Sequence, residues 1–259
     1  MKKDDQRWTR EQTIIAFNLY CKIPFNRVTS SHPEIIKAAQ AIGRSTNSVK
    51  MKIGNFGSFD PELKKRGIVG LANASKLDEE IWNEFNHNWD DLVFESEKIL
   101  SQIEWGNVWE KLITPDDEFY FAEWLEKERL VKTRVNQNFF RQTVLSAYNF
   151  SCCITGINIP ELLIASHIIP WNKAEINRLN PRNGLCLNAL HDKAFDKGLI
   201  TVTTDLKIKI AKRILEKPSA SIDLWIASFD GKSIIAPERF IPTREFLQYH
   251  NDNIFQAWL

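Results

Sequence analysis

Apolar residues recur at helical spacing through most of the first hundred positions, and the residues between them mark where each helix starts and stops. Thr9 followed by Gln12 is a capping-box pair, and Ile14, Ile15, Phe17 and Leu19 then supply one apolar face. This predicts a first helix ending near Pro24. A second opens around Ser31 to Pro33, because proline is tolerated in a first turn, and runs through Ile35, Ile36, Ala39 and Ile42 until Gly43 stops it. Ser45 can cap a third, in which Val49 and Ile53 share a face while Thr46, Asn47, Lys50 and Lys52 remain available to solvent. From Ser75 to about Ile103, Ile81, Trp82, Phe85, Trp89, Leu92, Val93, Ile99 and Leu100 predict two helices broken near Asn86 to Asn88.

Beyond the turn at Thr114-Pro115-Asp116-Asp117 the pattern changes. Asn136 can cap a helix with Phe140, Val144, Leu145 and Tyr148 on one face, and Gly156 then turns the chain. An apolar run, Leu162 to Ile169, reads as a strand interrupted by Ser166-His167. A polar loop, Asn172 to Arg182, leads through a tight Asn183-Gly184 into a short strand, Leu185 to Leu187. A helix holding His191, Asp192 and Phe195 follows and ends at Gly198, and Ile200 to Ile210 alternates like a hairpin. The predicted class is α+β, helical first and mixed afterwards.

The charge is not evenly spread. Residues 1–74 carry 13 Lys/Arg against 6 Asp/Glu, residues 75–130 carry 5 against 16, and residues 131–259 carry 16 against 11. Two basic ends therefore flank an acidic middle, a division that fits a polyanion such as nucleic acid better than an acidic protein partner. It suggests three parts: a basic helical domain over 1–74, an acidic, tryptophan-rich helical connector over 75–130, and a third domain over 131–259. Trp82, Trp89, Trp105, Trp109 and Trp124 lie in the acidic part, where they read as core rather than as a cofactor box. The charged run to Lys132 is the expected hinge.

With 43% hydrophobic residues in 259, dominant disorder is excluded. No run of apolar residues is long enough for a membrane span, and the start has no secretory pattern, so the expected location is cytoplasmic. Cys21, Cys152, Cys153 and Cys186 make no C-x-x-C pair. They read as small core residues.

The second helix, the Gly43 turn and the third helix together resemble the helix-turn-helix family, with Ala39, Gly43 and Val49 at the spacings of its small residue, turn glycine and core aliphatic. That resemblance implies that Ser45, Thr46, Asn47 and Lys50 meet base edges and that Arg44 meets phosphate. The alternative is an ordinary helical hairpin with a solvated face.

Three motifs further along, A-S-H-I-I-P-W at 165–171, N-G-L-C-L at 183–187 and H-D-K-A-F-D-K-G-L-I at 191–200, resemble the HNH endonucleases of the ββα-metal fold, in particular their restriction-type branch. Thr133 to Tyr148 and C-C-I-T-G at 152–156 extend the likeness. The resemblance implies a metal-dependent DNA endonuclease leaving 5′-phosphate and 3′-hydroxyl ends, with a role in restriction and defence, and with modified bases as one class of target. His167 would be the general base, Asn183 would hold the loop and orient it, and His191 would ligate Mg²⁺ or Mn²⁺ with Asp192 as a second ligand. Arg178 and Arg182 are placed to grip phosphate. Ser166 stands where many relatives have a metal-ligating Asp or His, and the paired C-x-x-C zinc knuckles of many relatives are missing. The expected partner is double-stranded DNA, and palindromic cutting would want a homodimer. The rivals are a DNA-binding protein that keeps an inactive HNH fold and a transcription regulator led by the N-terminal part.

Overall fold

The computed structural model describes residues 7–68, 70–71, 73–105, 135–217 and 219–257. The expected turn at Thr114, the hinge near Lys132, and Trp109 and Trp124 lie outside them. By its contacts the chain divides into one unit ending at Phe139 and a second beginning at Phe140.

The first unit is helical. Helix α1, Arg10–Lys22, opens with the capping box read from the sequence: Thr9 Oγ1 accepts from the Gln12 amide and the Gln12 side chain accepts from the Thr9 amide. Helices α2, Pro33–Ala41, and α3, Thr46–Phe56, are joined through Gly43, whose φ of +69° is a left-handed conformation that costs glycine nothing. Ser45 caps α3 by accepting from the Ser48 amide at 3.1 Å. After the short α4, Pro61–Lys65, come α5, Lys76–Phe85, and α6, Trp89–Trp105, separated at 86–88 as the pattern predicted. Both α5 and α6 pack on α1. The centre of the unit is aromatic, with Phe17 and Tyr20 of α1 against Phe56 of α3 and Trp82 of α5. Each of these rings is 7% exposed or less, so the unit is held mainly by burial of apolar area.

Lys52 departs from its expected solvent position. It is 6% exposed, and its Nζ lies 2.6 Å from Asp78 Oδ1. Asp78 Oδ2 also accepts from Asn55 Nδ2 and from the Ser75 amide, so one carboxylate closes the α5 capping box and ties α3 to α5. The cause is geometric. Lys52 lies on the same helical stripe as Val49, Ile53 and Phe56, and that stripe faces inward.

The second unit contains two antiparallel pairs. Helix α7, residues 135–147, has Asn136 inside it rather than ahead of it. Strands β1, Leu163–His167, and β2, Gly184–Asn188, pair with His167 opposite Gly184 and Leu163 opposite Asn188. A Cβ built on Gly184 would come within 2.4 Å of Val144 and 3.0 Å of Phe140, so only glycine lets the hairpin sit this close to α7. Helix α8, Ala189–Asp196, follows β2 directly, and Gly198, with φ +64°, ends it. The expected hairpin is β3, Ile200–Val202, and β4, Ile208–Ile210. Short helices α9, Lys212–Leu215, and α10, Ala220–Trp225, precede α11, Arg244–Asn253. Among the described residues no helix is long and apolar enough to cross a membrane.

Candidate active site

The second unit builds its site on the β1–β2 hairpin, the 168–183 loop and the start of α8. His167 is the last residue of β1. Its ring stacks on Phe140 at 3.8 Å with 11° between planes and meets Trp171 edge-on at 5.5 Å. Nε2 lies 2.9 Å from the Arg178 carbonyl. A carbonyl only accepts, so Nε2 carries the hydrogen, and the neutral ring keeps Nδ1 as its bare lone pair. Burial lowers the His167 pKa from its ordinary value, and the bond to the Arg178 carbonyl opposes that shift without cancelling it. The ring is thus held in one orientation and favoured in the form that can accept a proton.

Asn183 is fully buried and clamps the chain just past His167. Its Oδ1 accepts from the Ile169 amide at 2.8 Å, and its Nδ2 donates to the Ile169 and Asn177 carbonyls. Its own carbonyl accepts from the Ile168 amide at 2.9 Å. The sequence suggested a tight turn at Asn183-Gly184. Instead a 3-10 turn, Pro181–Asn183, delivers Asn183 into the loop while Gly184 is already extended strand.

His191 and Asp192 are neighbours in sequence but not in environment. His191 is 1% exposed: Nδ1 lies 2.9 Å from Asn188 Nδ2 and Nε2 lies 2.8 Å from the Trp225 carbonyl. Both ring nitrogens are committed inside the protein, which runs against the expected metal-ligand role. Asn188 binds further. Its Oδ1 caps α8 at the His191 amide, and its Nδ2 also reaches Thr155 Oγ1 at 3.3 Å and Cys152 Sγ at 3.7 Å. Cys152, Thr155, Asn188 and His191 therefore form a polar knot that joins the 152–155 turn to α8. Sequence reading missed Asn188, although an Asn just ahead of a helix is a recognisable cap.

Asp192, one residue on, is half-exposed. Burial, followed by the neighbouring Asp192 charge, raises the pKa of Asp196 one turn later. Ser166 is 3% exposed, and its Oγ has no hydrogen-bond partner among the described residues. Strand alternation turns it to the face opposite His167. Among the described residues no three His, Cys, Asp or Glu side chains converge as a ready metal cage.

Arg178 and Arg182 are half-buried. Arg178 Nε donates to the Trp171 carbonyl and its guanidinium lies over the Trp171 ring, while Arg182 Nη1 donates to the Ile241 carbonyl. Cys152, Cys153 and Cys186 are free and buried, and burial pushes the Cys153 thiol well up and the Cys186 thiol to about 12.

In the first unit the expected base-reading residues separate. Asn47 and Lys50 are exposed on α3, and Thr46 is half-exposed. Ser45 is the α3 cap. Arg44, expected on phosphate, is 7% exposed. It donates through Nε and Nη2 to Gln12 Oε1 and through Nη2 to the Arg7 carbonyl, and it lies over the Trp8 ring. Its place is inside the fold, at the N-terminal end of α1.

No curated protein matches the chain. Residues 152–203 match the model of a family described as HNH endonuclease, a stretch that spans the polar knot, the β1–β2 hairpin with His167, the Asn183 clamp and all of α8. The match identifies that stretch as an HNH endonuclease domain and supports a nuclease-type function acting on DNA.

Proposed function

We propose that the protein is a divalent-metal-dependent DNA endonuclease of the ββα-metal type, with His167 as general base, and that it serves in restriction of foreign DNA. One observation carries the assignment: within the family-matched stretch, His167 is fixed between Phe140 and Trp171 with Nε2 spent on a carbonyl, leaving Nδ1 to accept a proton.

The chemistry follows from that ring. His167 Nδ1 takes a proton from water, the resulting hydroxide attacks phosphorus, and the bond from phosphorus to the 3′ oxygen breaks. The 3′ oxygen leaves and takes a proton from solvent, giving 5′-phosphate and 3′-hydroxyl ends. Asn183 holds the Ile169 backbone in place, so the strand end bearing His167 does not drift between turnovers. Arg178 and Arg182, half-buried and held in the loop by carbonyls, bring positive charge to the phosphate.

Mg²⁺ or Mn²⁺, when bound, neutralises phosphate oxygens and eases departure of the 3′ oxygen. The residue that fits such an ion is Asp192, a half-exposed hard oxygen donor in the first turn of α8, rather than the enclosed His191. Ser166, buried and turned to the face opposite His167, does not complete that site. The first unit supplies sequence reading through Asn47, Lys50 and Thr46 on the outward face of α3 and works as a helix-turn-helix element. Residues 1–74, 75–130 and 131–259 remain the proposed functional division.

The buried Ser166, at a position where a stronger ligand would be expected, favours a second reading in which the HNH fold binds DNA without cutting it. One experiment separates the two: digestion of unmodified and cytosine-modified phage DNA with Mg²⁺, Mn²⁺ or EDTA, alongside His167→Ala. Metal-dependent cutting lost in the variant supports the nuclease. Duplex binding with no cutting under any ion supports the rival.

A further inference from the structure

The outward face of α3 changes character along its length. Asn47, Lys50, Met51 and Gly54 fall at i, i+3, i+4 and i+7, so they form one stripe on that helix. Its first half is polar. Its second half opens into a groove of about 340 Å³ lined by Lys50, Met51 and Gly54 together with Phe25, Val28 and Leu71. Met51 on α3 is 52% exposed and Leu71, which lies outside the helices, 41%, so two large apolar side chains face solvent side by side in the groove. Gly54 keeps the floor open, because a Cβ there would lie 3.2 Å from Leu71 Cδ1.

We propose that this groove receives the 5-methyl group of a pyrimidine in the major groove of duplex DNA, so that thymine or 5-methylcytosine is preferred over its unmethylated counterpart. The inference rests on the reading of α3 as a DNA-contacting helix. Three features select this occupant. The methyl carbon is the only apolar group that base pairs present in the major groove, so an apolar notch has one target there. Lys50 borders the notch and carries the charge that a phosphate or guanine edge one step away would need. Among the described lining residues only Lys50 brings a side-chain nitrogen donor and none a side-chain oxygen acceptor, a set that suits a methyl group better than a Watson–Crick edge.

The test is fluorescence anisotropy of the full-length chain in EDTA with random-sequence duplex pools synthesised with thymine or with uracil, and with cytosine or 5-methylcytosine. The wild type is expected to bind the methyl-bearing pools more tightly, by about fourfold for each methyl enclosed. Met51→Gln removes the apolar wall, and Gly54→Ala pushes Leu71 into the notch. Both are expected to erase the methyl preference while leaving affinity for the uracil pool unchanged and the unfolding temperature at or above that of the wild type. Asn47→Ala and Lys50→Ala, measured beside them, test the underlying reading, since they should weaken binding to every pool. Equal wild-type affinity for thymine and uracil pools, with Asn47→Ala and Lys50→Ala still defective, overturns the groove and leaves the DNA reader standing. If those two variants are also unaffected, the reader itself fails. Sedimentation showing that Met51→Gln converts a dimer to a monomer would assign the groove to a second copy and overturn the proposal.

Discussion

Replacing His191 and Asp192 one at a time should have opposite consequences, because one residue is bonded inward and the other faces outward. His191→Ala leaves Asn188 Nδ2 without its 2.9 Å acceptor and the Trp225 carbonyl without its 2.8 Å donor, and it empties an imidazole volume beside Phe229. A buried polar group left unpaired costs about 1–3 kcal/mol. Asn188 retains Thr155 as an acceptor, so the lower half of that range applies to it. The expected loss is about 2–4 kcal/mol, most of it metal-independent. Asp192→Ala removes a half-exposed side chain and should change stability by less than about 0.5 kcal/mol. Mn²⁺ binding should fall by about tenfold or more in Asp192→Ala, equivalent to ~1.4 kcal/mol. Unfolding in EDTA gives the first quantity and Mn²⁺ titration by calorimetry the second. His191→Gln, which can keep one of the two bonds, supplies a folded comparison if His191→Ala is too unstable. Should Asp192→Ala bind Mn²⁺ like the wild type while folded His191→Gln does not, the assignment of the two residues is reversed.

Cleavage should vanish in His167→Ala while duplex affinity stays within a few-fold, and the acid limb of kcat should fall below the ordinary histidine value of 6.5, because burial lowers this ring's pKa and the neutral form persists as pH drops. A limb centred above 6.5 would assign the base elsewhere. Asp78→Asn should destabilise the first unit by about 3–5 kcal/mol, since it strands the buried Lys52 ammonium, and thermal unfolding at two salt concentrations should show little screening. His250 stacks on Phe195, bonds Thr201 and the Phe195 carbonyl, and has its pKa lowered to about 4 by burial. Its contribution is present above pH 6.5 and is lost as pH falls through about 4, up to about 3 kcal/mol, so His250→Gln should flatten the acid slope of stability over that window.

Much of the skeleton was legible because its signals are local. The Thr9–Gln12 box, the Gly43 turn, the Ser45 cap and the break at 86–88 each depend on residues within a few positions of one another, and each appears where the pattern put it. The hairpin and α8 were likewise readable from alternation and from Gly198. What could not be read were partners distant in sequence. The Arg178 carbonyl lies 11 residues from His167, Asp78 lies 26 from Lys52, and Trp225 lies 34 from His191. No periodicity announces a carbonyl that happens to be brought to a ring.

Burial along a helix, however, was available in the sequence and decides the two cases where expectation and structure part. In α3, Val49, Lys52, Ile53 and Phe56 are the inward stripe, so a lysine in that stripe had to find an acid or remain unpaired. In α8, His191, Ala194 and Phe195 follow the same spacing and are the buried residues, while Asp192 and Asp196 share the outer stripe. A 100° turn between adjacent residues is enough to send one into the polar knot and the other to solvent. For the proposed metal-dependent nuclease, helical phase therefore ranks Asp192 ahead of His191 as the group open to an ion. Phase favours a carboxylate where the family resemblance favoured an imidazole, and hard oxygen donors are what Mg²⁺ takes most readily.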